Sequence, residues 1–139
     1  MSGDPSSPEQ VVRAFCDRIR EGDHDGVAAL LDDSVTYHNV GMEPAVGKAA
    51  AVAALDQLHA MFASLDFRIV HLAVDGDAVL TERVDDLTVA GGGPTAPVPV
   101  MGTFVVRDGR ITAWRDYFDM ALVGRMMAGE DVGDLAPGL

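Results

Sequence analysis

Little in this sequence would tie it to a secreted scaffold, a membrane or a nucleic acid. It has one cysteine, Cys16, so no intramolecular disulfide can form, which fits a reducing, cytoplasmic compartment. Free cysteine is among the most buried residue types, and Cys16 reads as a small apolar residue on a helix. Basic residues are scarce: 10 Lys and Arg against 22 Asp and Glu leave a net charge of −12. Phosphate binding needs a basic patch, so this balance argues against a nucleic-acid partner. It equally disfavours docking on an anionic membrane, while neutral or cationic small ligands stay open. No apolar run approaches the length of a membrane span. Met1 to Ser7 has neither a basic nor an apolar signal region, so no secretory signal is expected. Internal repeats are absent. His24, His59 and His71 lack metal-ligand spacing and read as surface or structural histidines, so no metal is expected. Gly91-Gly92-Gly93 lacks the strand-to-helix setting of a phosphate loop and reads as a flexible hairpin connection.

What is present is a well-punctuated globular pattern. The 139 residues, 48% hydrophobic, fit a single domain (1–139) with a real core. Residues 1–6 and the acidic, Gly-rich stretch 129–139 are expected to be flexible ends. Ser7-Pro8-Glu9-Gln10 marks a helix start with a capping box. Val11, Val12, Phe15, Cys16 and Ile19 follow at helical spacing, and Gly22 ends the helix. A short helix over about Asp25 to Leu31 should turn Val27, Leu30 and Leu31 inward. A strand, Ser34 to Val40, and a turn at Gly41 to Pro44 lead into an Ala-rich helix from Gly47 to about Ala63. Four strands follow at Phe67–Val74, Ala78–Val89, Val98–Val106 and Ile111–Phe118. Their connections are Asp75-Gly76-Asp77, Gly91–Pro97 and Arg107-Asp108-Gly109-Arg110. A helix over Met120 to Ala128 closes the pattern. The fold class is α+β: helices against one face of a strongly bent antiparallel sheet, with a cavity between the layers.

Polar residues at alternate strand positions stand out. Arg83 and Asp85 share a face of one strand with Val79, Thr81, Leu87 and Val89. If that face is exposed, the pair is an ordinary surface ion pair. If it lines a pocket, it is an acid with its charge partner attached. Glu82 and Asp86 take the outer face. Tyr37 and Asn39 share a face of the first strand, with His38 opposite. Trp114, Asp116 and Phe118 share a face of the last. Were the three faces to converge, two carboxylates would flank one guanidinium. A buried cluster favours zero net charge, so one carboxylate should hold a proton. That splits like side chains into an acid and a base. Tyr37 and Asn39 could hold a water between them. Such a set suits addition of water to an epoxide, with no nucleophilic Ser or Cys.

At Tyr37-His38-Asn39, Glu82-Arg83-Val84-Asp85 and Trp114–Asp119 the chain resembles the limonene-1,2-epoxide hydrolase family, within the NTF2-like or SnoaL-like superfamily. The likeness starts at Gly22–Gly26. It implies an NTF2-like cone: a strongly curved antiparallel or mixed sheet with three to four helices enclosing a pocket. It implies that Asp116 is the base that activates water, held also by Tyr37 and Asn39. Asp85 is then the protonated acid that serves the epoxide oxygen, and Arg83 bridges the carboxylates. No cofactor, metal or covalent intermediate is implied; a homodimer packed sheet to sheet is. The family's pocket is apolar, and Leu58, Phe62, Phe67, Leu87, Val98, Val100, Trp114 and Phe118 are compatible with substrate contact. Met126 and Met127 could close its mouth. That lining fits a terpene-like or cycloaliphatic epoxide. The alternatives are a SnoaL-like cyclase or ketosteroid-type isomerase, and a non-catalytic ligand-binding module.

Overall fold

The computed structural model describes residues 4–139; residues 1–3, part of the expected flexible N-terminal end, lie outside it. Helix α1 (Pro8–Glu21) begins where Ser7 accepts a bond from Gln10 N, with Pro8 in the first turn. It ends at Gly22, whose φ of 69° is a left-handed value that costs glycine little. Its buried stripe is Val11, Val12, Phe15, Cys16 and Ile19, as the spacing requires. Burying each of the larger apolar side chains contributes about 1.5–3 kcal/mol. That stripe, not helix propensity, is what holds α1 in place. Helix α2 (His24–Ala29) is capped by Asp23. It stops two residues short of the expected end, because Leu31 opens strand β1 (Leu31–Asn39).

Strand β2 (Ala45–Val46) and helix α3 (Lys48–Met61) come next. Four strands follow: β3 (Phe62–Asp75), β4 (Ala78–Val89), β5 (Thr95–Arg107) and β6 (Arg110–Tyr117). Helix α4 (Met120–Met127) packs beyond them. The two-residue β2 carries no sequence signal. It forms because Thr36 and Tyr37 offer it a partner edge. The chain passes from α3 into β3 without a loop, since Phe62 and Ser64 pair with Val89 and Thr88 of β4. Likewise β5 starts earlier than expected, at Thr95 opposite Thr88. Ladder bonds to a neighbour outweigh local turn and helix preferences at these ends.

The sheet order is β2-β1-β6-β5-β4-β3. It is mixed: β1 runs parallel to β6, and the other neighbours are antiparallel. Register shifts interrupt β1 with β6, β3 with β4, and β5 with β6. Such bulges bend strands and raise their twist. One core joins the α1 stripe to Val79, Phe104, Val106, Ile111 and Trp114 of the sheet. A second joins Ala96, Val98 and Val100 of β5 to Leu122 and Met126 of α4. β6 ends opposite Met101, so β5 before that point is flanked by β4 alone. Pro97 and Pro99 fall in this one-sided part, where a residue without an N–H is tolerated. After α4, residues Gly133–Leu135 form a 3-10 turn, and Val132 and Ala136 rest on the second core.

Candidate active site

The site is built on three adjoining strands. On β4, Thr81, Arg83 and Asp85 alternate onto the inner face and all three are buried. The β5–β6 register sets Gly102 beside Asp116, and the β4–β5 register sets Thr81 beside Gly102. The parallel β1–β6 pairing then aligns Tyr37 with Trp114 and Asn39 with Asp116. Thus Asp85 and Asp116, 31 positions apart (116 minus 85) in the chain, face each other across one guanidinium.

Arg83 bridges them. Its Nε donates to Asp85 Oδ1 at 2.9 Å and its Nη2 to Asp85 Oδ2 at 2.8 Å. Nη1 and Nη2 donate to the two oxygens of Asp116 at 3.0 and 2.9 Å. Nη1 also reaches Thr81 Oγ1 at 3.4 Å, and that hydroxyl donates to Gly102 O at 2.9 Å. The guanidinium lies over the rings of Phe67 and Phe104, 4.9 and 5.7 Å from their centroids. A desolvated cation over an aromatic face gains further attraction. Trp114 Nε1 donates to Asp116 Oδ1 at 2.9 Å. Its indole is stacked on Tyr37, centroids 3.9 Å apart, and Asn39 Nδ2 donates to the Tyr37 hydroxyl at 3.2 Å.

Burial sets the charge. Arg83 is fully buried, and Asp85 and Asp116 are 6% and 3% exposed. Burial works against the Arg83 charge, but the carboxylates of Asp116 and Asp85 outweigh it and hold the group protonated. The Asp85 carboxyl is pushed up to about 6, first by burial; Arg83 opposes that rise and Asp116 adds to it. One cation cannot neutralise two carboxylates in a dry site, and Asp85, raised to about 6, can carry a proton near neutral pH. Tyr37 is pushed up too, by burial and then by Asp116, and stays a neutral hydroxyl. Burial lifts the Cys16 thiol to about 12, which leaves it inert.

Of these groups, Tyr37, Asn39, Asp85 and Asp116 line a cavity of about 470 Å³. Leu58, Phe62 and Phe67, from α3 and β3, line it too. So do Leu87, Val98, Val100 and Phe118. Trp114 does not line it: its side chain is fully buried, wedged among Tyr37, Phe15 and Phe104, and it meets the site through its bond to Asp116 and its stack on Tyr37. Nor do Met126 and Met127 reach the mouth. Met126 is buried in the second core and Met127 packs against it, while Met120 and Val123 are the α4 residues that line the cavity.

Periodicity missed the rim. Met42 and Glu43 come from the β1–β2 turn, and Gln57 and Met61 from α3. They lie on loop tips and helix faces exposed to water, which carry no periodic signal. His38 stays off the cavity, near Met42 O at 2.8 Å. On the outer face Glu82 meets His71 and Asp86 meets Arg68. The histidines are less scattered than their spacing implied, since His24 and His59 pack edge to face with centroids 4.6 Å apart.

The family model for the limonene-1,2-epoxide hydrolase catalytic domain matches residues 6–127. The chain belongs to this family. Among family relatives, epoxide hydrolase EphG of Mycobacterium tuberculosis is 38% identical over 109 residues, covering 78% of this chain and 71% of that one. The solved structure of an M. tuberculosis LEH-like epoxide hydrolase matches with TM-score 0.78 and 34% identity, over 88% of this chain and 90% of that one. The α+β cone is shared more widely. A putative SnoaL-like polyketide cyclase from Shewanella denitrificans OS-217 matches with TM-score 0.78 over 88% of this chain and 98% of its own, at 17% identity. At that identity the likeness shows the NTF2-like, SnoaL-like fold alone.

Proposed function

We propose that this family member is an epoxide hydrolase that adds water directly to a small apolar epoxide, terpene-like or cycloaliphatic, giving a vicinal diol. The observation that carries the reading is the single guanidinium shared by two buried carboxylates that line an apolar cavity. Asp116 takes a proton from a water that Tyr37 and Asn39 help hold. The water oxygen bonds to one epoxide carbon while the bond from that carbon to the ring oxygen breaks. Asp85 gives its proton to the departing oxygen. Asp116 ends protonated and Asp85 ionised, so one proton moved between them resets the site. No enzyme ester forms. A matched acid and base each supply about 10²–10⁴-fold. Membership of the family and likeness to proteins named epoxide hydrolases support this reading. A ketosteroid-type isomerase needs one carboxylate base and would have no use for an arginine tying it to a second.

The chain is further proposed to act as a homodimer packed sheet to sheet. Leu80, Met101 and Tyr117 support this, since they leave a 40–49% exposed apolar patch on the outer face of β4, β5 and β6.

The test is incubation with limonene oxide, cyclohexene oxide and styrene oxide, followed by diol detection. A single turnover in ¹⁸O-water should label the diol at once. Label appearing first in an Asp carboxyl would overturn direct attack, and no diol from any of the three would overturn the function.

A further inference from the structure

Among the described residues, Gly102 is the one glycine inside a strand of the sheet. Glycine weakens a strand, because it costs backbone entropy and packs no side chain. Backbone conformation does not call for it: Gly102 is absent from the residues with positive φ. Space does. A Cβ built on Gly102 would lie 2.2 Å from Arg83 Nη1 and 2.4 Å from Asp116 Oδ1, and 3.2 Å from Arg83 Cζ. The Arg83–Asp116 bond therefore passes through the volume that any side chain at this position would fill. Thr81, opposite Gly102 in the register, closes the same spot by bonding both Gly102 O and Arg83 Nη1.

We propose that Gly102 is a positioning residue for the reaction, and that the side chain it lacks lets Arg83 join Asp116 to Asp85, with Thr81 as its latch. The inference rests on the proposed hydration chemistry for its effect on turnover, but not for its effect on geometry. Gly102 does not line the cavity, so substrate binding should be spared. A methyl group there would have to displace these side chains, and that breaks bonds, because Arg83 Nη1 is held by Asp116 and Thr81, and Asp116 Oδ1 by Arg83 and Trp114. It should push the guanidinium and the Asp116 carboxylate apart by an ångström or so. Misplacement on that scale costs about 10²-fold in rate.

The chain carries one tryptophan, Trp114, and its indole N–H is bonded to the Asp116 oxygen that the new methyl would touch. Its emission therefore reads the geometry without any substrate. For Gly102→Ala we expect native circular dichroism, a shifted or requenched tryptophan emission, kcat down about 10²-fold and KM within about threefold of wild type. Gly124→Ala, with nothing within 4 Å of its new Cβ, should match wild type in all four readouts. Native Gly102→Ala with wild-type emission and kcat overturns the proposal, as does an equal loss spread over KM. Should Gly102→Ala not fold, the Thr81 pair decides. Thr81→Val deletes the latch hydroxyl and should cost about tenfold in kcat, roughly the worth of one buried hydrogen bond. Thr81→Ser should restore it, and wild-type turnover in Thr81→Val overturns the proposal. Should the wild type make no diol at all, the proposed function falls, and the emission comparison alone then judges the positioning.

Discussion

Arg83 has five N–H donors, and each meets an acceptor among Asp85, Asp116 and Thr81. Such a buried ion cluster is strongly destabilised when one partner goes, because the charges left behind stay dry. Arg83→Ala should therefore lower stability by about 3–5 kcal/mol, read by denaturant unfolding, and abolish diol formation. An unchanged midpoint would mean that the cluster does not need its cation. Asp85→Asn and Asp116→Asn should each abolish turnover with the fold retained; near wild-type rates in either would remove that residue from the mechanism. The pH dependence has a definite sign. Burial lifts the Asp85 carboxyl from 3.8 to about 6, so the folded chain holds that proton more tightly than the unfolded one. Its stabilising contribution is complete below 3.8 and is lost as pH rises through about 6. The melting temperature of wild type should fall relative to that of Asp85→Asn over this interval. For the same reason kcat/KM should decline on the alkaline side from about pH 6, as the proposed general acid, Asp85, loses its proton. A flat profile there would take the acid role from Asp85. At this scale the residue types and their alternation were legible in the chain, but the space that Arg83 needs beside β5 was not. Gly102 is known by an absent side chain, and an absence has no meaning until its neighbours are placed.

Among the elements, α1 and the β1–β6 pair do most to keep the site rigid. Phe15 on α1 meets Trp114 edge to face with centroids 5.1 Å apart, and Phe104 at 5.9 Å. Trp114 in turn holds Asp116 and stacks on Tyr37. Phe15→Ala should destabilise the fold by about 3–5 kcal/mol through its cavity. By freeing the indole it should also lower kcat, although Phe15 does not line the cavity. Unfolding midpoints and turnover measured on one sample separate the two effects, and a stability loss with unchanged kcat would deny the coupling. The helices and hairpin strands of the second half were legible, because apolar spacing and turn residues are local. Strand ends were not, since Phe62 and Thr95 joined the sheet only because β4 offered them partners. The parallel alignment of β1 with β6 joins residues some 77 positions apart, such as Asn39 and Asp116 (116 minus 39), and no local rule announces it.

For the whole molecule, the net charge of −12 keeps copies apart unless an apolar patch overcomes it. The proposed dimer places Leu80, Met101 and Tyr117 at its seam. Met101→Glu should convert a dimer to a monomer in analytical ultracentrifugation, more completely at low salt, where like charges are least screened. A wild type that sediments as a monomer at every salt concentration would end that proposal. Rim residues such as Met42, Met61 and Met120 are exposed, and their unbranched side chains should let the proposed reaction accept substrates of varied shape. The amino-acid sequence by itself determined the α+β class, the α1 stripe, the hairpins and the pairing of Arg83 with Asp85, all of which depend on residues a few positions apart. Tertiary structure alone decided that this pair is dry, that Asp116 shares its guanidinium, and that Trp114 supports the site from beneath rather than lining it. Burial and long-range register come from the closing of the sheet around α1, and the chemistry depends on both.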